Sequence, residues 1–210
     1  MTILLPIIIN AIQNTITANS AEVTELDKAI GDGDHVVNLQ RGLDALAVIS
    51  DELTAMEWSS AFMKIGMTLM STMGGASGSL FGSMFISMAK AAKAAKGKEL
   101  NITSFAEIFN QGVESVKQRG KSDIGEKTML DALLPVANSL QTDVANNIAF
   151  DQMLENIVQQ AIKGMESTKD LIATKGRASF LGERAIGHID PGARTSQLMI
   201  CAVVEVLKQG

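Results

Sequence analysis

Helical periodicity is the sequence feature that most restricts the fold of this 210-residue chain. Apolar side chains recur at steps of three and four residues, which is the pattern of helices with one buried face. The clearest stripe contains Phe150, Met153, Leu154, Ile157, Val158, Ala161, Ile162 and Met165. No stretch shows the sustained apolar–polar alternation of a half-buried β-strand. The sequence therefore predicts an all-α fold.

Breaks between the apolar stripes divide the chain into eight predicted helices. Their predicted ranges are 3–23, 36–50, 58–73, 78–96, 103–119, 127–141, 149–172 and 193–208. Ser104 and Glu107 have the spacing of a capping box at the start of the fifth helix. Most breaks are short, which favours antiparallel packing of neighbouring helices within one domain covering 1–210.

Charge and cysteine content narrow the functional classes. The formal net charge is −5, and the 18 Lys and Arg residues form no long basic run, which argues against a nucleic-acid partner. The single cysteine, Cys201, predicts no disulfide framework and fits a reducing cytoplasm, with Cys201 as a small core residue. The apolar N-terminal run lacks a basic flank and is too short to cross a bilayer, so no membrane association is expected.

A cluster of lysines lies at the end of the fourth predicted helix. Cations at a helix C-terminus complement the helix dipole, and a solvated helix end is the simpler interpretation. A docking site for an acidic partner is the alternative. The cluster comprises Lys90, Lys93, Lys96 and Lys98.

The segment 26–38 contains three carboxylates, those of Asp27, Asp32 and Asp34, and two glycines that permit a tight turn. We expect a loop here, with Asp27 closing the preceding helix. Carboxylates held close together need a cation between them, and oxygen ligands without cysteine suit Mg²⁺. An ordinary surface turn with Asp as a helix cap is the alternative. The spacing does not match an EF-hand.

A glycine-rich break at 74–78 is the second candidate loop. Glycines before a helix expose backbone N–H groups at the positive end of the dipole, which suits a phosphate. No Gly-Lys-Ser/Thr follows, so the segment is not a Walker A loop. A tight connection between two helices explains the same residues.

The third candidate loop, 119–131, mixes charges and glycines before a helix start. Thr128 has the chemistry to cap that helix or to bind a ligand, and Met129 to pack on a flat ring or in the core.

The fourth candidate loop, 175–192, is the longest stretch without helical periodicity. Long loops in compact domains are typically functional or disordered. Arg177 is suited to grip a phosphate, while Arg184 with Glu183 has the alternative of a structural ion pair. His188 is interpreted as a loop anchor.

Together these loops predict a nucleotide site in which carboxylates hold Mg²⁺ and N–H groups with Arg177 neutralise phosphate charge. His35, beside the carboxylates, is suited to orient a phosphate or an Asp. We find no covalent nucleophile, and phosphoryl transfer needs little beyond positioning and charge neutralisation.

With these four motifs the chain resembles the ADP-binding L subunits of bacterial dihydroxyacetone kinase over nearly its whole length. The matching segments are Leu26-Asp27-x-x-Ile30-Gly31-Asp32-Gly33-Asp34-His35, Gly74-Gly75-Ala76-Ser77-Gly78-x-Leu80-Phe81-Gly82, Arg119-Gly120-Lys121 with Gly125-x-Lys127-Thr128-Met129-x-Asp131, and Lys175 to Arg184 with Gly187-His188-x-Asp190-Pro191-Gly192-Ala193.

The resemblance implies an eight-helix antiparallel barrel with the nucleotide at one rim. It implies that Asp27, Asp32 and Asp34 hold two Mg²⁺ ions that bridge the diphosphate. It also implies an ADP site lined by His35, Val36, Val37, Asn38, Ala76, Ser77, Gly120, Met129, Arg177, Asp190, Pro191 and Gly192.

The resemblance further implies two partner proteins. A K subunit binds dihydroxyacetone covalently and accepts the phosphoryl group, and a phosphohistidine-carrying M subunit of the phosphotransferase system recharges ADP to ATP in place. Two positions depart from the family pattern: Val36 stands where relatives usually have Gly, and Ser79 where many have Pro.

Three functions fit these features. The first is the phosphoryl-transferring L subunit of a phosphotransferase-system-dependent dihydroxyacetone kinase. The second is a kinase subunit that uses free ATP for dihydroxyacetone or a related triose or tetrose. The third is a nucleotide-sensing module that regulates a transcription factor or another enzyme without turnover.

Overall fold

The computed structural model describes residues 2–95 and 100–209. Within these ranges the chain forms α-helices and short 3₁₀ helices and no β-strand, which confirms the all-α prediction. The α-helices are α1 (Leu5–Ala18), α2 (Ser20–Ile30), α3 (His35–Leu53), α4 (Trp58–Thr72), α5 (Gly75–Ala94), α6 (Ile102–Gly120), α7 (Leu130–Ala145), α8 (Phe150–Ser167) and α9 (Pro191–Gln209). The 3₁₀ helices are Thr2–Leu4, Thr168–Asp170 and Arg177–Ala185.

Most of the stripe on which the fold prediction rested lies on one face of α8, although Phe150 at its start is exposed. Met153, Leu154, Ile157, Ala161 and Met165 on this helix are all buried. Their spacing places them on the side of α8 that meets α7 and α9. Burial of this face is the main reason why the segment is helical, because isolated helices of this length are marginal in water.

The first predicted helix, 3–23, is wrong in its bounds, since the chain divides at Asn19 into α1 and α2. The side-chain amide of Asn19 donates to the Thr15 carbonyl over 2.7 Å and competes with the helical hydrogen-bond pattern. The second helix then runs to Ile30, with Asp27 in its last turn.

The predicted capping box was placed one turn too late. Asn101 is the N-cap of α6, and its side chain accepts from the Ser104 amide over 2.9 Å. The Asn101 amide donates back to the Ser104 hydroxyl over 3.0 Å. Ser104 therefore supplies the returning half of the box and is not its first residue.

Contacts between helices run in a continuous order around the molecule. From α3 to α9 each helix contacts the next along the chain, α9 contacts α1, and α1 contacts α3. Helix α2 lies beside α3, α9 and the 3₁₀ helix Arg177–Ala185. Glycines permit the close approach of α4 and α5: a Cβ at Gly66 would lie 2.9 Å from the Gly82 carbonyl oxygen.

Three smaller expectations concern the surface and the termini. In the described ranges no helix has the length and apolar character needed to span a membrane. Lys90 and Lys93 are exposed near the end of α5, while Lys96 and Lys98 lie outside the described residues. Cys201 is half-buried, and its sulfur accepts a hydrogen bond from the side-chain amide of Gln197.

Candidate functional site

Three carboxylates converge where α2 connects to α3. Asp27 lies in the last turn of α2, and Asp32 and Asp34 lie in the connection that follows. One oxygen from each carboxylate lies within 4.8 Å of the others. Asp27 is buried and the other two are exposed, so the cluster opens to solvent on one side. The donor set consists of hard oxygens alone, which fits Mg²⁺.

Glycines shape the turn that carries this cluster. Gly33 has φ of 77°, a conformation that side chains disfavour. A Cβ at Gly31 would lie 2.1 Å from Asp27 Oδ1 and would displace that carboxylate. The backbone N–H of His35 donates to Asp27 Oδ2 over 3.0 Å. Gly31 therefore leaves room for the Asp27 carboxylate, and the backbone N–H of His35 holds that carboxylate in place.

The glycine-rich connection between α4 and α5 lies against the first turn of α3. A Cβ at Gly74 would lie only 2.2 Å from Asn38 Oδ1. Helix α5 then begins at Gly75, and no side chain in the described part of the protein caps its N-terminus. The first N–H groups of a helix have no intrahelical partner, so those of α5 are available to an anion.

His35 links the carboxylate cluster to two other helices. Its Nδ1 lies 3.3 Å from the Ser77 hydroxyl on α5, and its Nε2 lies 2.9 Å from the Thr195 hydroxyl on α9. Burial lowers the pKa of the His35 imidazole below its usual value, although the charges of Asp27 and Asp34 oppose that shift. Burial thus favours the neutral form of the ring.

The connection between α6 and α7 is held by two buried ionisable side chains. The Asp131 carboxylate accepts from the amides of Gly125 over 2.5 Å and Thr128 over 2.7 Å, while burial raises its pKa. The Lys127 amine is fully buried and donates to the carbonyl oxygens of Thr168 and His188. Burial lowers the pKa of Lys127, and neighbouring carboxylates partly offset this. Lys127 thus ties the third candidate loop to the fourth.

The fourth candidate loop is more regular than the sequence predicted, because Arg177–Ala185 is a 3₁₀ helix with a kink at Gly182. Arg177 Nη2 lies 2.7 Å from Asp32 Oδ2, so this loop closes over the carboxylate cluster. The loop ends at Asp190, whose Oδ2 accepts from the Ala193 amide over 2.8 Å and caps α9. Burial raises the pKa of Asp190 to about 7.

All four candidate loops line one cavity of about 400 Å³. A volume of this size is within the range of small-molecule sites. The predicted site residues on its wall are Asp27, Asp32, Asp34, His35, Asn38, Ala76, Ser77, Gly120, Thr128, Met129, Arg177, Asp190, Pro191 and Gly192. Their roles toward a ligand stay predictions.

Two predicted site residues do not line the cavity. The side chain of Val36 is buried in the main hydrophobic cluster, and that of Val37 is exposed. Since Val36 packs into the core, its side chain does not crowd the cavity. A contact through the backbone of either residue stays a prediction.

The profile of the DAK2 domain family matches residues 29–205, which includes all four loops except the start of the first. The chain belongs to the DAK2 domain family. The match includes α3 to α8 and most of α9.

Curated relatives of this DAK2 domain chain are similar along nearly their whole length. One is the PEP-dependent dihydroxyacetone kinase 1, ADP-binding subunit DhaL, of Listeria innocua, 39% identical over 94% of this chain and 92% of the relative. The PTS-dependent dihydroxyacetone kinase, ADP-binding subunit DhaL, of Lactococcus lactis is 41% identical over 91% of both chains. The corresponding PEP-dependent Escherichia coli subunit is 38% identical over 88% of this chain and 87% of the relative.

Solved structures of a longer relative share the DAK2 domain fold. The crystal structure of the dihydroxyacetone kinase of C. freundii in its native form matches with a TM-score of 0.74 and 26% identity, covering 96% of this chain and 34% of that one. The complex of the C. freundii kinase with AMP-PNP and Mg²⁺ matches with a TM-score of 0.73 and 25% identity, covering 96% and 33%. The DAK2 domain chain therefore corresponds to about one third of that kinase.

Sequence reasoning gave no role to two residues that organise the DAK2 site. Lys127 belongs to one of the family motifs, but a lysine in a predicted loop is normally expected to be exposed. Its burial could therefore not be predicted from the sequence. Thr195 could have been found from helical spacing, because it follows Pro191 by four residues and so lies on the same side of α9.

Proposed function

We propose that this chain is the ADP-binding subunit of a phosphotransferase-system-dependent dihydroxyacetone kinase. The observation that carries the proposal is the convergence of three carboxylates, an uncapped helix N-terminus and Arg177 on one cavity. The relatives that match over most of their length are named as such subunits, which supports the same function.

In this proposal Asp27, Asp32 and Asp34 hold two Mg²⁺ ions, and the ions supply positive charge to the diphosphate. The carboxylate oxygens fit this role because they are close together, carry no competing sulfur or imidazole ligand, and face solvent on one side. Two of them are exposed, which leaves room for water and phosphate oxygens in the coordination shell.

The protein itself neutralises the remaining negative charge of the nucleotide. The free N–H groups at Ala76 and Ser77 and the guanidinium of Arg177 neutralise phosphate oxygens. Met129 and Gly192 meet on the wall of the cavity, where a Cβ at Gly192 would lie 3.5 Å from Met129 Cβ. This apolar surface suits the base or ribose.

The acceptor and the phosphoryl donor come from other proteins in this proposal. A K subunit presents dihydroxyacetone to the nucleotide, and a phosphohistidine M subunit recharges ADP in place within the cytoplasm. We further propose that residues 1–210 form one domain whose helices close into a barrel. The continuous order of helix contacts supports that arrangement.

Native mass spectrometry and reconstitution test the function. The purified chain is expected to carry a diphosphate nucleotide and two Mg²⁺ ions, and to form dihydroxyacetone phosphate only when K and M subunits are added with phosphoenolpyruvate and the general phosphotransferase proteins. Absence of nucleotide binding at saturating Mg²⁺ and ADP would contradict the assignment.

A free-ATP kinase is the second candidate, because one solved relative is a kinase in complex with AMP-PNP and Mg²⁺. Turnover with the K subunit and free ATP alone would favour it. Nucleotide binding without turnover in any combination of subunits would instead favour a sensing module that acts on a transcription factor or another enzyme.

A further inference from the structure

We propose that Thr195 is a positioning residue that holds the His35 imidazole in its Nε2–H tautomer and thereby makes Ser77 a hydrogen-bond acceptor toward the ligand. The tautomer follows from the geometry of α3, α5 and α9 alone. Its consequence for nucleotide binding rests on the proposed function.

The hydrogen bonds around Thr195 fix the direction of the network. Its hydroxyl is fully buried and lies 3.1 Å from the Pro191 carbonyl oxygen and 3.2 Å from that of Gly192. Carbonyl oxygens only accept, so the single hydroxyl proton goes to them. The Thr195 oxygen then accepts from His35 Nε2, 2.9 Å away. Donation in the other direction would leave the contacts to both carbonyls unmade.

The other ring nitrogen must then act as an acceptor. A neutral imidazole with its proton on Nε2 has a bare Nδ1. The Ser77 hydroxyl, 3.3 Å from that atom, donates its proton to it. Ser77 lines the cavity, so its hydroxyl oxygen offers lone pairs to a ligand, while the hydroxyl proton is already used. Its natural ligand partner is a donor such as a bound water or a hydroxyl group.

This network connects three of the four loops of the site. Thr195 belongs to the first turns of α9, His35 begins α3 directly after the carboxylates, and Ser77 belongs to the first turn of α5. Arg177 makes a separate contact between the fourth loop and the first, and Lys127 ties the third loop to the fourth. Thr195 is thus the buried end of a chain of hydrogen bonds that reaches the cavity wall.

¹⁵N NMR of the histidine ring nitrogens in the intact 210-residue chain tests the tautomer without relying on activity. The chain has only two histidines, and exposed His188 serves as an internal reference. At pH 8.5, without nucleotide, His35 is expected to show a protonated Nε2 and a bare Nδ1. Thr195→Val removes the acceptor and is expected to shift His35 toward the Nδ1–H form or a mixture, while Thr195→Ser retains the wild-type pattern. A His35 with its proton on Nδ1 in the wild type, or a pattern unchanged in Thr195→Val, would overturn the proposal.

Ser196→Ala is the matched control on the same helix. Ser196 is also fully buried, and its hydroxyl has no hydrogen-bond partner among the described residues. Its loss is expected to leave the His35 tautomer and ADP affinity unchanged. Thermal unfolding of each variant identifies any general loss of structure.

Calorimetric titration with Mg²⁺ and ADP tests the consequence. Thr195→Val is expected to bind ADP about two- to ten-fold more weakly, the usual effect of one hydrogen bond, and Thr195→Ser to bind as the wild type does. Equal affinity in Thr195→Val, despite a changed tautomer, would overturn the positioning role. If the wild type itself binds no ADP, the proposed function fails, and the NMR result still decides the tautomer.

Discussion

At the scale of single residues, the site depends on side chains whose charges are held close to one another. Asp32 is the carboxylate that contacts both the candidate metal cluster and Arg177. Asp32 therefore combines two roles: it is a candidate ligand for a cation, and it attaches the fourth loop through Arg177. The three carboxylates carry negative charge, which Arg177 partly offsets through its ion pair with Asp32.

Removing one carboxylate charge should abolish the metal site and leave the fold intact. Asp32→Asn keeps the shape of the side chain but removes a charged ligand, so Mg²⁺ and ADP binding are expected to be lost. Because Asp32 is exposed, the helical circular dichroism signal should persist. Calorimetry with Mg²⁺ and ADP measures the loss, with exposed Asp51→Asn near the end of α3 as the matched control. Unchanged ADP affinity in Asp32→Asn would contradict the metal assignment.

Arg177 should contribute to transfer through charge-assisted hydrogen bonds. These are worth about 1.5–3 kcal/mol each, so Arg177→Ala is expected to lower kcat/KM by about ten- to a hundred-fold. Arg177→Lys keeps the charge without the planar fork and should fall between. Steady-state turnover with the partner subunits measures the effect, and turnover equal to wild type would assign Arg177 a structural role.

Asp190 should make stability depend on pH. Its pKa rises from 3.8 to about 7 on folding, so the folded state binds the proton more tightly. Stability is therefore expected to fall as pH rises from about 4 to about 7, by at most about 1.4 kcal/mol per pH unit, and to level off above that. Asp190→Asn retains the cap on α9 and removes this dependence. Urea unfolding of both proteins at pH 5 to 8 measures the difference, and parallel curves would contradict the raised pKa.

At the scale of elements, the sequence predicted helices well where packing decides and poorly where local hydrogen bonds decide. The α8 stripe gave the right helix because its apolar face is wide and continuous. The break at Asn19 and the cap at Asn101 escaped prediction because each depends on one side-chain amide bonding to nearby backbone. Four motifs pointed to the cavity, yet Thr195 was missed because it lies within an ordinary helical stripe.

Close packing of α7 and α8 gives a prediction at this scale. A Cβ at Gly164 would lie 2.0 Å from the Asp131 carbonyl oxygen, which is backbone and cannot turn aside. Gly164→Ala must push the helices apart, and we expect a loss of about 1–3 kcal/mol in the free energy of unfolding. Lys163→Ala on the exposed side of α8 is the control and should change little. Chemical denaturation measures both, and an unaffected Gly164→Ala would show that α8 can shift at little cost.

At the scale of the whole molecule, the site lies where connections between different helices meet, and three exposed apolar residues are close to its wall residues in the sequence. Val37, Ile124 and Phe180 are exposed, and each lies within two residues of a residue on the cavity wall. Phe180 is 86% exposed. In the proposed function the acceptor is bound to a K subunit, which would have to approach this end of the molecule. These side chains are therefore candidates for contact with the K subunit.

Phe180→Ser should weaken association with the K subunit without altering ADP binding. Aromatic side chains contribute strongly at protein interfaces, often 2 kcal/mol or more when truncated, or about thirty-fold in Kd. Val48→Ser is the matched control: Val48 is equally exposed at 86% and lies about 15 Å along α3 from Asn38 on the cavity wall. Surface plasmon resonance with immobilised K subunit compares them, and equal weakening by both variants would place the interface elsewhere.

The assembly of the cavity from four separate connections has a consequence for the rate at which the protein is degraded. A nucleotide bound there touches segments that adjoin α2 to α7 and α9, so global unfolding and ligand release become one coupled event. At a ligand concentration a hundred times its dissociation constant, that coupling adds about 2.7 kcal/mol to the free energy of unfolding. Cellular proteases that attack unfolded chains would then degrade the nucleotide-free protein first. The lifetime of the protein would therefore depend on the fraction of it that has nucleotide bound.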